Sequence, residues 1–308
     1  MDKLDLLIKN AVSRRTFLSG AGTAAAVTLI AGCGGGSTPA PTTTPTPTTT
    51  PTPPAITDAD ILNFALNLEY LEAEFYLRAA TGTGLSSTDA GGSSAGSVTG
   101  GTQVSFPTAA LQQYAVEIAQ DELDHVRFLR KALGSAAVPR PTIDLTNSFN
   151  GLASAAGIGS TFNPFADSNS FLVGAFVFED VGVTAYHGAA TLLTNKTYLT
   201  AAAGILAVEA YHAAEIRSLI YGLSVSSGVS TYLTDANKVS AVRAALGGGN
   251  ETQITGMNIV ACAPTTAIAY DRTTDEVLHI VYATGAGVVT KGGFFPKGLN
   301  GTITATAS

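Results

Sequence analysis

Cysteine is nearly missing from this chain, with only Cys33 and Cys262 among 308 residues. A disulfide framework is therefore excluded, and stability has to come from a buried core. Basic clusters are missing as well. Sixteen Lys and Arg face 23 Asp and Glu, for a formal charge of −7. Such an acidic balance argues against nucleic acid and suits cations. No long hydrophobic run is present either. The apolar stretch from Ser19 to Gly32 is too short and too rich in Gly and Ala to span a membrane stably. Between Gly34 and Pro54, no apolar residue other than proline is larger than alanine, so this segment cannot join a core.

The first 33 residues read as an export signal. Ser13-Arg14-Arg15-Thr16-Phe17-Leu18 resembles the twin-arginine motif, with Arg14 and Arg15 as its pair. Leu29-Ile30-Ala31-Gly32-Cys33 resembles a bacterial lipobox, in which Cys33 is lipidated and becomes the new amino terminus. Cys262 then has no partner in the mature chain. Loss of the signal removes four cations and two anions and makes the domain more acidic. Residues 34–54 form a Thr/Pro-rich linker whose prolines favour extended polyproline II segments. The expected location is the bacterial cell envelope, on its periplasmic or outer side, with a lipid anchor holding the domain to the membrane.

Residues 55–246 read as helical. A first helix is expected to start at Thr57, a capping residue followed by Asp58 and Asp60, and to stop near Gly82. A second spans roughly Pro107 to Leu133. After a proline-containing crossover, a third runs near Ser170 to Leu193. A fourth follows a tight turn at Asn195 and ends near Gly222, and a shorter fifth covers Asp235 to Leu246. Residues 247–308 are rich in turns, apart from a short helix opened by Thr273-Thr274-Asp275-Glu276, and should wrap the bundle.

Six residues carry the chemistry. Glu122-Leu-Asp-His125 and Glu209-Ala-Tyr-His212 are two Glu-x-x-His segments. Glu69 and Glu179 are lone glutamates, each followed seven residues later by tyrosine, Tyr76 and Tyr186. Each of the four glutamates has apolar neighbours three, four and seven residues away, which places it on the buried stripe of its helix. An ionised carboxylate there is costly without a counter-ion. Four carboxylates and two neutral imidazoles balance two divalent cations. Without metal the clustered carboxylates would repel one another and take up protons. The order Glu, Glu-x-x-His, Glu, Glu-x-x-His is that of di-iron and di-manganese carboxylate bundles.

At NFALNLEYLEAEFY, DELDH, AVEAYHAAE, VLHIVY and GGFFPKGLNG the chain resembles the ferritin-like superfamily. Within it the likeness is closest to bacterial ferritin-like domain proteins and plant desiccation-related proteins. The resemblance implies an all-α, left-handed four-helix bundle with a long crossover between its second and third helices, a short fifth helix and an irregular C-terminal tail. It also implies a dinuclear centre, without implying an activity. Aligned on bacterioferritin patterns, Glu69 is the ligand of the first helix, with Glu72 as competitor one turn on. Asp121 would be the outer partner of His212. Val208 replaces the aspartate in the second motif, so His125 must be oriented by another acceptor. Tyr76 and Tyr186 either bond to ligand carboxylates or pack as plain aromatics. His187 and His279 lie outside this set.

Two divalent ions, Fe or Mn, with Zn also able to bind, are the expected cofactors, and O2 or peroxide the expected partner. A redox protein of ferroxidase or catalase type is one reading. A non-enzymatic, stress-protective surface protein is the other. Homo-oligomerisation is left open.

Overall fold

The computed structural model describes residues 55–307; the predicted signal, with Arg14, Arg15 and Cys33, and the linker lie outside them. Eight helices account for most of the described residues. Helix α1 covers Asp58–Thr81, α2 Ser87–Ala90, α3 Ala109–Leu133 and α4 Asn147–Ala155. After these come α5 Ser168–Ala190, α6 Lys196–Ser227, α7 Thr231–Leu246 and α8 Thr274–Val281. Two short strands, β1 Val98–Thr99 and β2 Ile143–Asp144, pair in parallel and tie together the loops on either side of α3.

Local chemistry sets the boundaries. Thr57 and Asp60 form a reciprocal capping box at the start of α1, and Gly82 ends that helix in the left-handed conformation at φ 80°. Asp167 and Asn195 accept from the first free amides of α5 and α6. Thr273 and Glu276 make a second capping box at α8.

Four boundaries depart from the sequence expectation. Helix α6 continues through Gly222 to Ser227, because a single helical glycine is only mildly unfavourable and the terminating glycine is Gly228, at φ 69°. Helix α3 starts after Pro107, since Thr108 supplies the cap. Helix α5 stops at Ala190, short of Leu193, and α7 begins at Thr231, ahead of Asp235. Helix α4 forms within the crossover expected to be irregular, and its Phe149 and Ala153 are buried.

Helices α1 and α3 pack as one pair and α5 and α6 as the other, with α1 meeting α5 between them. Helix α7 covers α5 and α6, and α8 lies against α5 and α7. The amphipathic helices α3 and α6 bury stripes at three- and four-residue spacing: Ala115, Ile118, Glu122, His125 and Leu129 on one, Ala202, Ile205, Glu209, His212 and Ile216 on the other. Helices α1 and α5 are buried nearly all round because loops and the C-terminal segment cover their outer faces. Phe75 lies at the centre of an aromatic cluster with Phe149, Phe165, Phe171 and Phe178, and Phe294 of the C-terminal segment joins it through Phe149 and Phe178. Asn67 and Asn300 bond in both directions, at 2.9 and 3.0 Å, and fasten that segment to α1. Among the described residues no helix is long and apolar enough to cross a membrane.

Candidate metal centre

The two helix pairs bring four glutamates and two histidines to one point inside the bundle. Glu69 comes from α1, Glu122 and His125 from α3, Glu179 from α5, and Glu209 and His212 from α6. All six are buried, with Glu69, Glu122 and Glu209 fully so. Their ligand atoms fall into two overlapping groups, Glu69, Glu122, His125 and Glu209 in one and Glu122, Glu179 and His212 in the other, each within 4.8 Å. His125 Nδ1 stands 3.3 Å from Glu69, 3.5 Å from Glu122 Oε2 and 3.5 Å from Glu209. His212 Nδ1 stands 3.1 Å from Glu122 Oε1 and 3.6 Å from Glu179.

Glu122 therefore turns one carboxylate oxygen toward each histidine, the arrangement of a bridging ligand. Glu209 groups with His125 rather than with His212 of its own motif, so the three-residue spacing does not by itself say which ligands gather around one ion. Glu72 belongs to neither group and lies beside them, still buried.

The lone-pair atoms of the cluster decide what it can hold. Glu69 Oε2, Glu179 Oε2, both oxygens of Glu122 and of Glu209, and both histidine Nδ1 atoms are buried without a hydrogen-bond partner. Acceptors turned toward one another in this way are repulsive unless a proton or a cation lies among them. Carboxylate oxygen and imidazole nitrogen are donors for Fe, Mn or Zn, and four carboxylates match the charge of two divalent ions.

A model of the ferritin-like domain family matches residues 57–222. The chain belongs to the ferritin-like family. It is 32% identical over 269 residues to the ferritin-like catalase Nec2 of Nesocodon mauritianus, covering 80% of this chain and 84% of that protein. It is also 32% identical over 198 residues to the desiccation-related protein PCC13-62 of Craterostigma plantagineum, covering 62% of this chain and 63% of that one.

The surroundings of the ferritin-like cluster are nearly two-fold. The Tyr76 hydroxyl on α1 donates to Glu179 on α5, and the Tyr186 hydroxyl on α5 donates to Glu69 on α1. Each tyrosine thus orients the carboxylate that lies seven residues before the other tyrosine. Burial and the facing carboxylates push both phenols well above their ordinary range, which keeps them protonated as donors. The symmetry breaks at the histidines. His212 Nε2 lies 3.1 Å from Asp121 Oδ2, which fixes the tautomer that leaves Nδ1 free to coordinate. Val208 occupies the matching position in the other motif, and no acceptor bonds His125 Nε2 among the described residues.

Proton affinities follow the same geometry. Burial raises Glu69 to about 7 against the pull of His125. Burial and the charge of Glu122 raise Glu72 and Glu209 well above the carboxylate range. Burial works against the charged form of Glu122 too, but its two imidazole neighbours bring it down to about 2. Burial also opposes charge on His125, yet Glu69 and Glu122 raise it to about 12. Without metal, protons on the imidazoles and on part of the carboxylates take the place of the cations.

His187 Nδ1 pairs with the Tyr270 carbonyl at 3.1 Å and His279 Nδ1 with the Thr284 carbonyl at 2.9 Å, both away from the cluster. Sequence reasoning overlooked Gly182. A Cβ there would come within 2.3 Å of Glu209 Oε2 and 3.2 Å of Glu72 Oε1, so the bare backbone of α5 is what admits both carboxylates. A glycine one turn from a helical ligand was the available signal.

Proposed function

We propose that this protein is an exported, lipid-anchored dinuclear metalloprotein that disproportionates hydrogen peroxide to water and oxygen. The observation that carries the reading is the pair of overlapping Glu/His groups whose inward atoms are all acceptors without partners. Similarity to a protein named a ferritin-like catalase supports peroxide over other small oxidants. Two bound Fe or Mn ions would supply the reversible two-electron change the reaction needs. Glu69, His125 and Glu209 would hold one ion, Glu179 and His212 the other, and Glu122 belongs to both groups.

The chain itself supplies orientation, exclusion of water and proton storage. Tyr76, Tyr186 and Asp121 hold ligands in place. The buried helices keep bulk water out. Peroxide reduction consumes two protons and its oxidation releases two, so a group that stores a proton beside the centre is required. Glu72 fits that role: it is buried, belongs to neither ligand group, flanks Gly182 together with Glu209, and burial favours its protonated form. A cavity of about 20 Å3 against Glu72 and Gly182 is of the size that admits one water-sized molecule. Export by the twin-arginine route with lipid on Cys33 places this chemistry at the cell envelope.

Similarity to a desiccation-related protein favours a second reading, in which the metal is sequestered and the protein protects without turnover. Oxygen evolution from peroxide by metal-loaded protein separates the two. Glu72→Gln should retain both ions and lose most of the rate, and the double variant Glu122→Ala, Glu209→Ala should lose both ions and rate. Equal rates in all three folded proteins would refute the catalase reading. Mass spectrometry of the native amino terminus tests the anchor, with an unmodified terminus at another residue counting against it.

A further inference from the structure

A cavity that the metal chemistry leaves unused lies on the outer side of α5 and α6, under the segment of residues 250–270. Its volume is about 390 Å3, within the range of small-molecule sites. Apolar surface makes most of its wall, that of Ala214 of α6 included. Asp180, Arg217, Glu251, Thr252, Cys262 and Tyr270 are among its polar residues.

The polar wall belongs to a buried charge network. Asp180 Oδ2 accepts from Arg217 and from Arg243, each at 2.8 Å. Glu251 accepts from Arg243 at 2.9 Å and from Arg272 at 2.8 Å. Three buried guanidiniums therefore meet two carboxylates, and the network carries one excess positive charge. A cationic ligand is repelled by it. An anionic ligand gains little from Arg217, whose guanidinium bonds Asp180 and the carbonyls of Thr252, Asn258 and Ile259, and it would face the unpartnered carboxylate oxygen of Asp180. What remains unmet is an acceptor. Asp180 is only 4% exposed, and its Oδ1 has no hydrogen-bond partner.

We propose that this cavity is a binding site for a neutral, largely apolar alcohol or phenol whose hydroxyl donates to Asp180. The apolar body fills the space against α6, and the hydroxyl satisfies the one buried acceptor the arginines leave. A charged analogue of the same length would have to bury its charge unpaired.

Calorimetric titration of the full chain with 1-hexanol, hexanoate and hexylammonium tests this directly. Hexanol should bind, and the two charged probes should bind about tenfold more weakly or worse. Hexanol should also slow alkylation of Cys262 by iodoacetamide, followed on the Cys262 peptide so that Cys33 does not interfere. Ala214→Phe, which fills the cavity, should abolish hexanol binding while leaving metal stoichiometry unchanged. The proposal is overturned if hexanol neither binds nor protects Cys262, if a charged probe binds as well as hexanol, or if a folded Ala214→Phe protein binds hexanol unchanged. If Ala214→Phe does not fold, the wild-type selectivity and the Cys262 protection decide alone.

Discussion

Asp121 and Val208 occupy equivalent places in the two Glu-x-x-His motifs and differ in what they do for the histidine of the other motif. Asp121 bonds His212 Nε2, whereas nothing comparable holds His125. Loss of such an outer partner weakens metal binding by about 10- to 100-fold. Asp121→Ala should therefore weaken one of two ions and spare the other, giving two separated phases in a metal titration where the wild type gives closely spaced ones. Uniform weakening of both phases would contradict the assignment. Proton competition is a second consequence at this scale. Glu69 is raised in the folded chain to about 7 from 4.5, so the stabilising proton it holds is lost as pH climbs through that interval. His125 is raised to about 12 from 6.5, so its contribution is complete below 6.5 and declines above it. Both signs agree, and the opposite contribution of Glu122 is already complete above 4.5, so from there the metal-free cluster weakens the fold as pH rises and metal binding must displace protons. The rise in Tm on adding metal should be larger at about pH 8 than at about pH 5. The reverse order in thermal melts would contradict the buried proton inventory.

At the scale of the helix, two glycines make opposite predictions. Gly182 faces the metal centre, and Gly182→Ala would drive a methyl into Glu209 Oε2 at 2.3 Å, so metal affinity should fall although alanine is the better helix former. Gly222 of α6 has nothing within 4 Å of where its Cβ would stand. Gly222→Ala should leave metal binding unchanged and stabilise the fold by about 0.5–1 kcal/mol, read from urea unfolding. The same glycine shows where sequence legibility ends. Thr57, Gly82 and Gly134 mark helix ends through capping chemistry that operates over three or four residues, and such signals are readable one segment at a time. Gly222 carries the composition of a stop, but α6 passes through it because one helical glycine costs only about 1 kcal/mol and the left-handed stop comes at Gly228. Helix α4 buries only Phe149 and Ala153 and contains Asn and Gly, so its periodic signal is too short to stand out from the crossover.

For the whole molecule, the ferritin-like bundle was legible because four apolar stripes each carry a ligand-type residue at helical spacing. The buried network of Asp180, Arg217, Arg243, Glu251 and Arg272 was not. Its arginines lie in ordinary helical or loop contexts and are satisfied by carbonyls far away in sequence, such as Arg243 by Phe176 and Arg272 by Gly247. The Arg243 bond to Phe176 needs α7 packed on α5, and the bonds of Glu251 and Arg272 need residues 247–307 laid over both. The C-terminal segment is thus part of the core through Phe294 and Phe295. Phe294→Ala should cost about 3–5 kcal/mol, an effect that would be absent if the segment were a loose wrap.

One chain is expected to hold two divalent ions through Glu69, Glu122, His125, Glu179, Glu209 and His212. The decisive measurement is the metal stoichiometry of protein isolated from its native cells, taken by elemental analysis alongside protein concentration and repeated on a variant lacking all six side chains. Two ions of Fe or Mn per wild-type chain are expected, and none in the variant. A stoichiometry that does not change when the six residues are replaced would contradict it.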